Sequence, residues 1–474
     1  MSFFIYDLIF LVAFVTVFSS FLYTHRKNLK REGLLYLYKA DWGIKLIKRI
    51  GTKYKKTLKV ISYASVVSGY FLMAGMLYLL YTIVKIYFFS PSIARAVKIP
   101  PIMPLVPYLP QVFKLDFLPP FYFSYWIIII AVVAIVHEMA HGIIAAYNKV
   151  DIKTTGFGFF PFFFPIFLAA FVEPDEKQME KKSNFAQMAV LGAGTFANVL
   201  TSIFFLIILL GFSSLAFAPS GVMFDGYATS AISVAGISSV NGISVGNLSY
   251  YGLKNLLNDE GLNEINVGDD KYLVTEVTVE SQEGQDTILV YNSAPAIKNN
   301  MSSIITKMGN VEIKSLNGLV EQIGLYSPGD EVLLTTLSDE GEVEQMIMLE
   351  EHPDRPDSAW LGIGFSLEGN GRLIGDAMQG LSFREPHVYY EPRFEDMSVF
   401  IYNLLWWMVL ISISVAFVNM LPVGIFDGGR FFYLTVLSLT KSEKIAEKAF
   451  KLSTRIFLVL LFAIIIFWGL SFFR

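Results

Sequence analysis

Apolar residues along this chain gather into runs too long for the core of a soluble domain. Six stretches, near residues 3–23, 60–89, 121–147, 185–217, 398–421 and 453–473, are nearly free of charge. Each reaches the roughly 20 residues needed to cross about 30 Å of hydrocarbon, so the pattern predicts six transmembrane helices. Between 218 and 397 the pattern changes. Alternating runs such as "YLVTEVTVE", "DTILVY", "EVLLTTL" and "EQMIMLE" are separated by "EGQD", "SPGD" and "SDEGE". Period-two alternation between turn residues predicts strands. Helical spacing around 248–257 and 315–325 interrupts them. "SSVNGISVGNLSYYGLKNLL" and "TKMGNVEIKSLNGLVEQIG" echo one another as strand, turn, strand and short helix.

Two apolar stretches do not fit simple spans. Ser92 to Pro120 is broken by seven prolines, which predicts an external loop lying against the membrane. Thr155 to Pro174 is aromatic and interrupted by Gly156, Gly158, Pro161 and Pro165. It is expected to re-enter the membrane as a strand pair or broken turn. Such backbone is tolerated at depth only where protein or a water-filled cavity satisfies it.

Composition agrees with a polytopic membrane protein: 54% of residues are hydrophobic and 16% charged, against about a quarter charged in soluble domains. Residues 25–59 carry 12 Lys and Arg, which places that loop in the cytosol. Alternating crossings then put the N-terminus outside, 149–184 inside, 218–397 outside and 422–452 inside. The segment 218–397 has 28 Asp and Glu against 9 Lys and Arg, in keeping with the outside. The first span lacks a basic start and a cleavage site, so it reads as retained. A net charge of −4 argues against nucleic acid as a partner, and the absence of Cys excludes disulfides and thiolate metal sites. The expected parts are 1–120, with two spans, the basic loop and the Pro-rich loop; 121–217 and 398–474, two halves of a membrane core; and 218–397, an inserted α+β region.

One apolar run raises a chemical question. "AIVHEMAHGIIAA" holds His137, Glu138 and His141 in the spacing HExxH. On a helix, positions i and i+4 share one face, so both imidazoles can meet one ion, with Glu138 beside them as general base. Ionisable residues inside a membrane are expensive and mark function. Zinc is the expected metal, and it needs a third protein ligand. His25 lies at the edge of the basic loop, and His352 and His387 lie in the external region. Asp427, in "AFVNMLPVGIFDGGRFF", follows a span that breaks at Pro422 and precedes Gly428 and Gly429. From the residues alone Asp427 is either that ligand or the cap of a short helix starting at Gly428.

HExxH in one span and N-x-x-P-x-x-x-x-D-G in a later one (Asn419, Pro422, Asp427, Gly428) resemble the site-2 protease family of intramembrane zinc metalloproteases. "GAGTFANVL", with Gly192, Gly194 and Asn198, and "FVEPDEKQMEKKS" support it, although Thr195 stands where the family often has Pro. The resemblance implies one Zn2+ on His137, His141 and Asp427, with Glu138 as base. It also implies that Asn198 and Asn419 help position an extended substrate or its oxyanion, interhelical hydrogen bonding being the structural alternative. Residues from "NSAPAIKNNM" to "LGIGF" resemble the PDZ domains found in this family, with 228–290 as a second copy or an insertion. Such a domain either binds peptide or acts as a steric plug. The substrates implied are transmembrane proteins already shortened outside, in a lipid membrane. A helical substrate must be unwound, so a sheet edge at Gly158 and Phe159 is expected to hold the opened chain. A different class of function, a catalytically silent membrane receptor or scaffold, would use the PDZ-like region alone.

Overall fold

The computed structural model describes residues 3–26, 29–32, 35–41, 43–89, 105–115, 118–159, 168–338, 341–365 and 385–470. Among these, six helices are long and apolar enough to cross a membrane: α1 (Phe3–Thr24), α3 (Lys55–Phe89), α4 (Phe123–Tyr147), α5 (Asn184–Ala216), α6 (Glu395–Asn419) and α8 (Glu443–Leu470). The chain is therefore a membrane protein. Two shorter helices belong with them, α2 (Ile44–Lys53) before α3 and α7 (Asp427–Thr440) between α6 and α8. Helix α8 starts ten residues before the apolar run expected at 453. Its first turns are charged, and the Glu447–Lys451 pair one turn apart, at 2.6 Å, helps carry the helix into the apolar part.

The chain divides into two compact units, Met1–Leu209 with Val399–Arg474, and Leu210–Ser398. In the first, residues from α2, α3, α4, α5, α7 and the end of α6 share one core, with Ile47, Met73, Ile144, Ala189, Met420 and Phe431 buried in it. In hydrocarbon such packing rests on close approach and interhelical hydrogen bonds. Gly192 of α5 lies so near α3 that a Cβ there would sit 2.5 Å from the Ser65 carbonyl oxygen. The Ser202 hydroxyl of α5 donates to the Val409 carbonyl of α6 at 3.0 Å.

The start of α4 is held from another helix. Asp7, inside α1 and buried, accepts from the Phe123 amide at 2.8 Å, the Ser124 amide at 2.9 Å and the Tyr108 hydroxyl at 2.6 Å. The first N–H groups of a helix have no partner within it, and an anion suits that end. Burial, then the hydrogen bond to Asp7, pushes the Tyr108 phenol well above its ordinary range, so it stays a donor. Of the Pro-rich stretch, 92–104, 116 and 117 fall outside the described residues; its described part includes a short helix, Leu109–Val112.

The basic loop holds more than charge. It forms β1 (Leu29–Glu32) and β2 (Leu35–Ala40), which extend the hairpin β3 (Ile152–Phe159) and β4 (Leu168–Pro174) into an antiparallel sheet of order β1-β2-β3-β4. Residues 160–167 of the expected re-entrant segment lie outside the described residues. Gly156 pairs with Lys39 on one side and Phe171 on the other, and has no room for a Cβ against the Tyr38 carbonyl oxygen. Tyr38 and Phe157 stack at 5.0 Å.

The second unit is rich in strands. One six-stranded sheet runs Thr229–Ser233, Thr287–Asn292, Asp270–Val274, Asn263–Val267, Ser239–Val240, Ile243–Ser244. The other runs Gly341–Met348, Glu331–Ser338, Ile304–Met308, Phe217–Met223, Val388–Pro392, with Val311–Glu312 beside the third of these. Helices Tyr250–Lys254 and Leu316–Ile323 fall where helical spacing interrupts the alternation. The run "YLVTEVTVE" divides: its first half is strand, and Glu276–Glu280 is helix. There the Thr275 side chain accepts from the Thr278 amide and starts a turn that alternation alone does not reveal.

Candidate metal centre

Helix α4 runs unbroken through "HEMAH", so His137 and His141 lie one turn apart, edge to face, with their Nε2 atoms 3.0 Å from each other. The third group comes from the break after α6. That helix stops at Asn419, the chain turns through Pro422, and α7 begins at Asp427. At Gly428 a Cβ would collide with the Met420 carbonyl, and at Gly429 with that of Val423. The two glycines thus let α7 start against the turn. Asp427 is the first residue of α7; the capping position is Phe426, and no side chain caps it. The Asp427 carboxylate instead turns to the histidines, with Oδ2 3.2 Å from His137 Nε2 and 3.3 Å from His141 Nε2.

Whether these atoms suit zinc is a matter of spacing. Ligand atoms in a tetrahedron of about 2.0–2.1 Å bonds stand about 3.3–3.4 Å apart. The 3.0, 3.2 and 3.3 Å separations here come close to that triangle. Gly194 of α5 leaves the space beside it free: a Cβ would lie 2.6 Å from His137 Cε1 and against His141 Nε2. The donor set and the cradle both fit the ion. His141 Nδ1 lies 2.6 Å from the Val190 carbonyl oxygen, so its proton sits there and Nε2 keeps its lone pair for a metal.

Glu138 lies beside the two imidazoles, the three residues' ligand atoms all falling within 4.8 Å of one another. Its Oε2 accepts from the Val172 amide of β4 at 3.0 Å. A cavity of about 20 Å³, walled by Ile135, Glu138, Met139, Thr155, Ala170 and Val172, has room for one water.

Asn198 is fully buried, its side-chain nitrogen 3.0 Å from His137 Nδ1. Asn419 lies 3.5 Å from His137 Nε2. Gly158 pairs with Leu37 and Ala169, and Phe159 with Tyr36 and Leu168, so both sit between strands and offer no open edge. The terminal strands are β1 and β4, and among the described residues no other strand than β3 pairs with β4. His25 stays with α1, its Nδ1 3.0 Å from the Phe21 carbonyl oxygen. The Val172 amide and Val190 carbonyl were not expected from sequence. Main-chain groups act here, and any residue type carries them.

No curated protein is similar enough to match this chain. The family model described as Peptidase family M50 matches residues 125–337 and 386–464, which take in HExxH and Asp427 alike. That match covers more than half of the chain, which therefore belongs to peptidase family M50, the site-2 protease family.

Proposed function

We propose that this protein is a zinc metalloendopeptidase that hydrolyses peptide bonds within or near transmembrane segments of other membrane proteins. The observation that carries the reading is the convergence of His137, His141 and Asp427 within 3.3 Å of one another, next to Glu138. These three residues would hold one zinc per chain. When bound, zinc supplies Lewis acidity that acidifies water and polarises the scissile carbonyl. Glu138 takes the proton of the attacking water on its carboxylate and delivers it to the leaving amine nitrogen. The Val172 amide holds that carboxylate in place. We assign to Asn419, whose side-chain nitrogen lies on the Nε2 side of His137, the hydrogen bond donated to the carbonyl oxygen as charge develops.

A transmembrane helix has its backbone bonded internally and must open before it can be cut. Strand β4 is the surface we assign to the opened chain. Because the Val172 amide faces Glu138, the N–H and C=O of Val172 and Ala170 turn away from β3, by strand alternation. With the Val172 N–H taken by Glu138, an added strand would use the Ala170 N–H and C=O and the Val172 C=O. In this account the segment 155–174 re-enters the membrane from the cytosolic side, and 218–397 lies outside as a PDZ-like region. A groove of about 390 Å³ between helix Leu316–Ile323 and residues 360–365 supports a role for that region in admitting shortened substrates.

The test is cleavage of a model transmembrane substrate in detergent or lipid by the full chain. Wild type should cut, and Glu138→Gln should fall by at least about a thousandfold while keeping its zinc. Cleavage by Glu138→Gln at the wild-type rate would overturn Glu138 as the base, and a wild type that neither holds zinc nor cuts would leave the silent receptor in the protease's place.

A further inference from the structure

We infer that Asn198 is a positioning residue for the metal ligand His137, acting on the edge of the ring that substrate does not reach. The inference rests on the zinc-protease reading above and assigns one of its two asparagines a different task.

An imidazole that ligates through Nε2 must carry its proton on Nδ1, and that proton needs an acceptor. For His141 the acceptor is the Val190 carbonyl oxygen, at 2.6 Å. For His137 the neighbour of Nδ1 is the Asn198 side chain, whose Nδ2 stands 3.0 Å away while its Oδ1 is buried without any partner. An amide's oxygen and nitrogen are interchanged by a half-turn about its last bond, and the hydrogen-bond network decides between them. The ligating tautomer calls for that half-turn: Oδ1 accepts from Nδ1–H, and Nδ2 moves to the place where Oδ1 has no partner. The two histidines then reach the same state, one held by a main-chain carbonyl and the other by a side-chain amide.

The position of Asn198 supports this task over substrate binding. It is 0% exposed, on α5, one turn after Gly194. The same face of α5 therefore leaves room for the ion at Gly194 and grips the far edge of the His137 ring at Asn198. Asn419, which is only partly buried, stands on the other edge, 3.5 Å from Nε2. A reacting carbonyl beside the metal is within reach of Asn419; the imidazole ring separates it from Asn198.

The experiment measures zinc affinity of the full chain by competition with a chelator, the absorption spectrum of the Co2+-substituted protein, and kcat and KM at saturating zinc. Asn198→Leu and the smaller Asn198→Ala remove the acceptor; Asn198→Asp keeps one. The expected result is a 10- to 100-fold weaker zinc affinity for Leu and Ala, on the scale of lost outer partners of metal-bound histidines. KM should stay at the wild-type value, and the Asp variant should return to within about threefold of wild-type affinity, with a shifted Co2+ spectrum. Wild-type zinc affinity in Asn198→Leu or Asn198→Ala, with KM raised instead, would overturn the inference and return Asn198 to the substrate. Failure of the wild type itself to bind zinc would overturn the protease reading, and this inference with it.

Discussion

At the scale of single residues, the site depends on what is missing as much as on what is present. The proposed zinc ligands His137 and His141, at i and i+4, are legible in sequence because that spacing is a helical turn. Asp427 was legible as a candidate, since the chain break at Pro422 and the two glycines after Asp427 signal an unusual approach. The clearance at Gly194 was not legible as such; it depends on how near α5 passes α4, a property of packing. Gly194→Ala should remove zinc, because its methyl would occupy the space beside His141 Nε2 and 2.6 Å from His137 Cε1. Metal analysis together with circular dichroism checks this: zinc well below one per chain at unchanged helix content is expected. Full zinc in that variant would mean that α5 moves aside more easily than its packing implies. The Val190 carbonyl and Val172 amide could not be read from sequence, since no residue type announces a main-chain hydrogen bond.

At the scale of elements, the long apolar helices were readable from composition and length alone, to within a few residues at most ends. The four-stranded sheet was not. Strands β1 and β2 sit in a loop whose Lys and Arg dominate the reading, and their pairing with β3 joins residues more than a hundred positions apart. That pairing also takes Gly158 and Phe159 off the edge and leaves β1 and β4 as the terminal strands, of which β4 is the one beside Glu138. Proline is tolerated on a terminal strand where the missing N–H points outward. Ala170→Pro should therefore fold and bind zinc as wild type does, yet lose cleavage of a transmembrane substrate by at least about tenfold, for want of one strand-addition hydrogen bond. Zinc content and cleavage rate measured on the same preparation decide it; an unchanged rate would contradict β4 as the holding strand. Gly156→Val serves as a contrast. Its branched side chain would meet the Tyr38 carbonyl oxygen and should unfold the sheet.

At the scale of the whole molecule, the membrane unit ties its first span to the helix that carries the histidines. Asp7 does this with three hydrogen bonds from Tyr108, Phe123 and Ser124. Hydrogen bonds to a charged group are worth about 1.5–3 kcal/mol each, and their donors are costly to leave unpaired. Asp7→Ala should lower stability by about 3 kcal/mol or more, read as a fall in the thermal midpoint in detergent. The surviving folded fraction should keep its zinc, because Phe123 and His137 are separated by nearly four turns of α4. An unchanged midpoint would mean that α1 and α4 are held together by their apolar packing alone.

The most direct test of the central claim is the zinc content of the purified full chain and of Asp427→Ala, determined by elemental analysis. We predict one zinc per chain in wild type and close to none in Asp427→Ala, because two histidines alone leave the site a ligand short. Full occupancy in Asp427→Ala would contradict the account, since the ion would then be held by a different set of residues.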